Sequence, residues 1–268
     1  MGRYLIRDPD ADPGAEPTHV LVLATLGAPE RRTLLARRAQ RRQAGAEPEP
    51  TPVTTGRATV IDVGSPFSGE AEAGAWLAAA GEDELVGDLA VLNRVLYSFR
   101  LVTADPYVAP VGRHQALVAR IGYGIGEEVA DGLWTEAREL VVPERRQRRK
   151  AMLHPQARLA ALLGSREQPL ASEELALRAR LDLDHGRYRE AALQLLVALD
   201  AAIAELGGDR LAETLEDRLG ELREQRDPVA ATAQNALAGP LEQEDLETIV
   251  FALGRIEAAL RVRAVASG

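Results

Sequence analysis

The residues best placed for chemistry follow a predicted strand at 59–63, in the sequence VIDVGSPFSGE. Asp62 and Ser65 lie where that strand ends, and strand ends are where α/β folds gather ligand-binding and catalytic groups. The same stretch also fits a turn, because Ser65 and Ser68 could cap a helix that begins near Glu70. Asp62 and Ser65 are therefore candidate ligand-binding residues, with turn formation as the alternative.

A second candidate surface is the basic run ERRQRRK at 144–150. A helix there would carry cations around most of its circumference, namely Arg145, Arg146, Arg148, Arg149 and Lys150. Such a surface could contact phosphates or an acidic protein surface, or it could simply be solvated. The run has no interleaved aromatic residues to stack bases, and the formal net charge of −9 opposes nonspecific nucleic-acid binding. An acidic protein partner is favoured over nucleic acid.

The remaining chemistry-bearing residues form no recognisable catalytic or metal-binding pattern. The chain has no cysteine, which excludes disulfides, thiolate metal sites and cysteine nucleophiles. No two of its 4 histidines have the spacing of metal ligands. We therefore expect no metal and no cofactor, and the sequence leans against an enzyme.

The glycine-rich stretch at 122–126, GYGIG, precedes a predicted helix as a phosphate-binding loop would. Glu127 and Glu128 follow at once, and their charges would repel a phosphate at that helix end. The stretch is better explained as a flexible or tightly packed helix junction.

Composition is that of an ordinary globular protein, with 46% hydrophobic, 27% charged and only 4% aromatic residues. Alanine and aliphatic residues must therefore fill the core. No apolar run approaches the roughly 18 residues of a membrane span, and the N-terminus lacks the apolar core of a signal peptide. These features predict a cytoplasmic protein without membrane contact. The near-exclusive use of arginine over lysine indicates a high-GC genome.

The first 68 residues predict a small α/β segment. Strand signals occur at 4–6, 20–24 and 59–63, and a helical pattern lies between the last two, at roughly 29–42. Strand, helix and strand in this order suggest a βαβ unit, with a right-handed crossover if the strands are parallel. Alternating prolines at 48, 50 and 52 predict a mobile loop over 43–56.

Residues 69–268 predict a helical domain. Apolar residues recur at helical spacing from Leu85 to Phe99, and the last helix carries a heptad-like seam. That seam comprises Leu246, Ile249, Leu253, Ile256 and Leu260. It could face a helix of the same chain or of another subunit. The predicted fold class is α+β and predominantly helical, with a small N-terminal sheet and a crossover helix.

Within this domain, the stretch 172–206 contains two helical patterns joined at His185-Gly186-Arg187. A turn glycine, a following aromatic and two small helix-contact residues fall on Gly186, Tyr188, Ala191 and Ala198. In these features the stretch resembles one tetratricopeptide-type helical hairpin. The resemblance covers this hairpin alone and implies close helix contact at Ala191 and Ala198.

These observations favour a non-catalytic helical interaction or assembly protein, which binds a protein partner or self-associates. One alternative is a small-ligand-binding protein or enzyme with its site at the strand end near Asp62 and Ser65. A second is a nucleic-acid-associated regulator that uses the arginine-rich helices.

The basic run at 145–150 separates these hypotheses. We predict only weak, nonspecific binding to DNA or RNA, because stacking residues are absent and the net charge is −9. Labelled DNA and RNA should be titrated at low and at physiological salt, with the four arginines of the run changed together to glutamate as the control. Micromolar binding at physiological salt that the variant abolishes would contradict this prediction and favour the regulator.

Overall fold

The computed structural model describes residues 2–8, 12, 14–26, 54–140 and 158–266. The chain divides into two compact units, Met1–Pro143 and Glu144–Gly268, which we call unit 1 and unit 2. The boundary expected after residue 68 lies at 143 in this division, because the helices after residue 69 pack with the N-terminal strands. The predicted crossover helix at 29–42 and the basic run at 145–150 lie outside the described residues.

Unit 1 begins with a three-stranded sheet in the order β1-β2-β3. Its strands are β1 (Gly2–Ile6), β2 (His19–Leu26) and β3 (Thr55–Asp62). Both strand pairs are antiparallel, with Leu21 opposite Tyr4 on one side and Val60 on the other. The central strand β2 buries Leu21 and Val22 on opposite faces, as its continuous apolar run predicts.

Two sequence predictions for this region need correction. The strand order suggested a βαβ unit, but β2 and β3 are antiparallel neighbours, so no parallel crossover joins them. The mobile loop predicted over 43–56 lies mostly outside the described residues, and its last two residues, Thr55 and Gly56, already belong to β3. Backbone pairing with β2 gives these residues the hydrogen bonds that a proline-rich loop would lack.

Two helices follow the sheet, α1 (Glu70–Ala79) and α2 (Glu82–Thr103). Three acidic residues open α2, where the helix dipole favours negative charge. Ala104, whose φ of 51° is left-handed, caps the helix just before Asp105-Pro106, where the proline disfavours helical dihedrals for the preceding residue. The expected apolar stripe of α2 is only half-buried, and Phe99 at its end is exposed.

A small hairpin completes unit 1. A 3₁₀ turn at Arg113–Gln115 leads to β4 (Arg120–Tyr123), and a short helix α3 (Glu127–Asp131) leads to β5 (Glu136–Glu139). β4 and β5 pair antiparallel. Neither strand was predicted, because each has only 4 residues and β5, Glu-Ala-Arg-Glu, carries no apolar alternation.

Asn93 holds the irregular segment after α2 against that helix. Its Nδ2 donates to the Val111 carbonyl at 3.0 Å, and its Oδ1 accepts from the Val111 amide at 2.7 Å. This side chain is the one buried residue of α2. It satisfies both backbone groups of Val111, which would otherwise lose their partners inside the fold.

Unit 2 is all-helical in its described part. After a helical stretch at 158–163 come α4 (Ala171–Asp184), α5 (Tyr188–Gly207), α6 (Glu216–Glu224), α7 (Arg226–Ala238) and α8 (Gln243–Ala266). α8 contacts each of the other four helices. The strands of unit 1 and the helices of both units confirm the predicted α+β, predominantly helical class. No helix among the described residues combines the length and apolarity that crossing a membrane requires.

The seam predicted on the last helix is internal to unit 2. Ile249, Leu253 and Ile256 have no exposed surface, and Leu246 and Leu260 pack against the same core. Leucines of α5 and α6 fill the other side of this core. The sequence left open whether this seam faces a helix of the same chain or of another subunit. It faces helices of its own chain.

α4 and α5 pack as a helical hairpin. Gly186 in the turn has a φ of +70°, a conformation that favours glycine. Ala191 and Ala198 are fully buried, as are Ala192 and Ala202 on the same helix. These small side chains belong to the core that α4 and α5 share with the other helices of unit 2, and their close contact with α4 stays a prediction.

We predict that Ala198→Leu destabilises unit 2 by about 1–3 kcal/mol, because the added methylenes overpack a fully buried helix contact. Ala204→Leu is the matched control, since Ala204 lies on the exposed side of the same helix. Thermal unfolding of both variants checks the prediction. Equal stability of the two variants would contradict the close packing of α4 and α5.

Candidate functional site

Asp62 is the exposed last residue of β3, and Ser65 lies in the exposed turn that connects β3 to α1. Asp62 Oδ1 accepts a hydrogen bond from the Gly64 amide at 2.9 Å, so this carboxylate shapes the turn. The next serine, Ser68, donates its amide and its hydroxyl to Glu72 Oε2 at 2.7 and 2.6 Å, and these bonds lower the pKa of Glu72. The turn-forming role therefore has direct support, and ligand binding by Asp62 and Ser65 stays a prediction.

Asp88 on α2 is an ionisable residue that sequence reasoning missed. Its pKa is raised to about 6, first because the carboxyl is largely buried and then because Asp62 and Glu84 carry like charges nearby. α2 packs against β3, which brings these carboxylates together. The sequence shows only an Asp three residues after Leu85, and its burial against a distant strand has no local signal.

Glu84 behaves in the opposite way. Its Oε2 accepts from the Gly81 amide at 2.5 Å, and this bond at the start of α2 lowers its pKa. Carboxylates with pKa values pushed apart are a feature of acid–base sites. In the described residues, however, no group of three His, Asp or Glu side chains could hold a metal ion. The like charges of Asp62 and Glu84 disfavour ionisation of Asp88.

The glycine-rich stretch at 122–126 is tightly packed. A Cβ on Gly122 would lie 2.5 Å from the Glu136 carbonyl oxygen across the hairpin, and one on Gly124 would lie 2.6 Å from Val129 Cγ2. These glycines are therefore needed for close packing between β4, β5 and α3. Glu127, where a phosphate would sit, instead forms an ion pair with Arg3.

Several charged residues near the core of unit 2 form ion pairs. Arg263 Nε donates to Asp209 at 2.8 Å, and its Nη1 contacts Glu167 at 3.3 Å. The bond from Arg263 is the main cause that lowers the pKa of Asp209. Arg180 similarly joins α4 to Glu257 of α8 at 2.8 Å. Such pairs fix the helices relative to one another.

Glu205 closes the open end of the hairpin. Its two carboxylate oxygens accept from the amides of Ala171 and Ser172, at 2.9 and 3.0 Å, at the start of α4. Burial by itself raises the pKa of Glu205, but the hydrogen bonds from Ser172 and Ala171 outweigh it and lower the pKa. Glu205 acts as a capping residue contributed by the neighbouring helix.

One feature of unit 2 that its own packing does not explain is the side of α8 turned away from the core; single exposed leucines and valines, such as Leu177, Val197 and Leu237, also occur on other helices. We define the α8 outer face as Glu247, Val250, Phe251, Gly254, Ala258, Arg261 and Val265. Three large apolar side chains are exposed there: Val250 at 53%, Phe251 at 49% and Val265 at 68%. Residues 247, 251, 254, 258, 261 and 265 follow steps of four and three, so they form a second seam opposite the buried one.

Phe251 is held in a defined position on this face. The Arg255 guanidinium lies 4.7 Å from the centre of its ring, a cation–π contact. Arg255 in turn contacts Glu221 of α6 at 3.4 Å. An exposed aromatic side chain that is positioned in this way is the type of residue that dominates binding at interfaces.

The comparisons with known proteins identify no relative. No family model matches the chain, and no curated protein and no solved structure shows significant similarity to it. Its function must therefore be argued from its own residues.

We predict that Asp88→Asn stabilises unit 1 by about 1 kcal/mol near pH 8, allowing for solvent screening of a partly exposed group. The pKa of Asp88 is about 6 in the folded protein and lower in the unfolded chain. The contribution of Asp88 to the free energy of unfolding is therefore fully present below its pKa in the unfolded chain. That contribution is lost as the pH rises through about 6. The increase in stability that Asp88→Asn produces should become smaller as the pH falls toward about 4.5.

Scanning calorimetry of the full chain at both pH values measures this effect. Asp83→Asn is the control for the loss of one carboxylate, because Asp83 is exposed in the first turn of the same helix. A benefit of Asp88→Asn that does not depend on pH would contradict the like-charge and burial argument.

Proposed function

We propose that this protein is a non-catalytic interaction or assembly protein and that the α8 outer face is its docking surface for another helix. The observation that carries this proposal is the second seam of α8. One face of the helix is fully used by the core, and the opposite face presents exposed apolar residues at the same heptad-like spacing. Helix-in-groove and helix-pair recognition use anchors at this spacing.

The composition of the face supports docking over simple solvation. A solvated helix face is normally polar. Here Val250, Phe251 and Val265 are exposed, and between them lie Gly254 and Ala258, small enough to let another helix approach. Charged residues occur only toward the two ends of the face, at Glu247 and Arg261.

Site-specific photo-crosslinking in the source cells tests the proposal. Phe251 is replaced by p-benzoylphenylalanine, and the same residue is placed at Tyr188 as a matched control. Tyr188 is an aromatic residue of the same unit with comparable exposure, 41% against 49% for Phe251. We expect a discrete covalent adduct from position 251, with another protein or with a second copy, and none from position 188.

The adduct should also depend on the centre of the face. Gly254→Glu places a charge there, so the adduct from position 251 should disappear in that variant. Absence of an adduct at 251, or the same adducts from 251 and 188, would overturn the proposal.

A further inference from the structure

The two charged residues of the α8 outer face lie toward opposite ends of it. Glu247 is near the N-terminal end, and Arg261 is near the C-terminal end. Arg261 is exposed and forms no ion pair with any residue that the structure describes. The apolar and small residues lie mainly between them, centred near residue 256. A surface of this kind is complementary to its own image after a rotation of 180°.

We infer that the α8 outer face binds the same face of a second copy of this chain, with the two helices antiparallel. This inference rests on the proposed function and names its partner. A two-fold axis that crosses α8 at the level of residue 256 would place Gly254 opposite Ala258 of the second copy. It would also set Phe251 against Arg261 of the second copy, with Glu247 one helical turn away.

Charge decides the direction of the two helices. In the antiparallel arrangement, each Arg261 lies within one turn of the other copy's Glu247 and near its Phe251, so both contacts are attractive. The two helix dipoles also run in opposite directions, and this arrangement is electrostatically favourable. A parallel pair would bring Glu247 against Glu247 and Arg261 against Arg261. The observed order of charges therefore selects the antiparallel pair.

Gly254 is consistent with close approach at the centre. A Cβ added there would meet no atom within 4 Å, so packing inside the chain does not require glycine. Glycine in a helix interior costs stability relative to alanine. Gly74, Gly87 and Gly220 are open in the same way, so an open glycine alone does not mark an interface. Gly254 differs because it lies between exposed apolar residues at the centre of a self-complementary face.

The size of the face sets the expected affinity. Residues 247–265 span about 27 Å of helix. One helix pair of this length buries less than a standard interface of roughly 1,600 Å². The formal net charge of −9 on each copy also opposes association at long range. We therefore expect a dimer with a micromolar dissociation constant.

Sedimentation equilibrium of the purified full chain is the first test. We expect a monomer–dimer equilibrium, with the dissociation constant raised about tenfold or more by Gly254→Glu. Folding of this variant is secure, because glutamate is the better helix former and the position is open. Gly220→Glu, the same change at the open glycine of α6, is the control and should leave the equilibrium unchanged.

Cysteine cross-linking tests the orientation, and the absence of native cysteine makes each introduced thiol unique. Phe251→Cys and Arg261→Cys variants are mixed and treated with a short bismaleimide. The antiparallel pair predicts cross-links between the two different variants. It predicts few within Phe251→Cys alone, because those positions would lie about 15 Å apart along the helix axes. Efficient cross-linking of Phe251→Cys to itself would overturn the antiparallel arrangement.

The outcomes separate this inference from the proposed function. A monomeric chain up to high micromolar concentration, together with a photo-adduct of Phe251 to a different protein, would overturn the inference and leave the docking function standing. A monomeric chain with no adduct at position 251 would overturn both. A dimer that dissociates equally in Gly254→Glu and Gly220→Glu would place self-association elsewhere and overturn the inference.

Discussion

Close helix packing through alanine is the constraint on which unit 2 depends. Aromatic residues make up only 4% of the sequence, so large rings cannot fill the space between helices. Alanines of α4 and α5 are buried in the core of unit 2, together with leucines of α5 and α6 and the inner seam of α8. Such a core has little tolerance for added volume but needs few specialised side chains.

In this mode of packing, ion pairs between charged residues help to hold the helices in position. Arg180 of α4 binds the Glu257 carboxylate of α8, and Arg263 of α8 binds the Asp209 carboxylate in the turn after α5, each at 2.8 Å. Exposed pairs of this kind contribute little, about 0–1 kcal/mol each, whereas a pair that is nearly buried is costly to break. Arg263 belongs to the second class, because it is 8% exposed and binds both Asp209 and Glu167. These two arginines therefore fix the orientation of the helices that carry them.

Sequence periodicity predicted the helical part of the fold well. The inner seam of α8 and the α4–α5 hairpin were readable because their spacing of apolar and small residues is local. The β4–β5 hairpin was missed, since strands of 4 residues with charged side chains give no alternation. The sequence left the direction of the N-terminal strands open, because strand direction depends on pairing across the sheet, which no local pattern encodes; the structure shows antiparallel pairing.

The candidate sites were harder to predict than the fold. Asp62 was identified from its place at a strand end, but Asp88 became notable only through its burial against that strand. The α8 outer face could have been found from the sequence, because its steps of four and three are as regular as those of the inner seam. A search for large apolar residues missed this face, because half of its seam positions are glycine, alanine or arginine.

The capping of α4 by Glu205 has a consequence for local unfolding. A helical hairpin is held by its turn at one end, and the other end is normally the first to fray. Here the carboxylate of Glu205 binds the first amides of α4 and so ties the last turn of α5 to the first turn of its partner. The hairpin is thus fastened at both ends. Its two helices should exchange their amide hydrogens as one cooperative unit, with no progressive opening from the free ends.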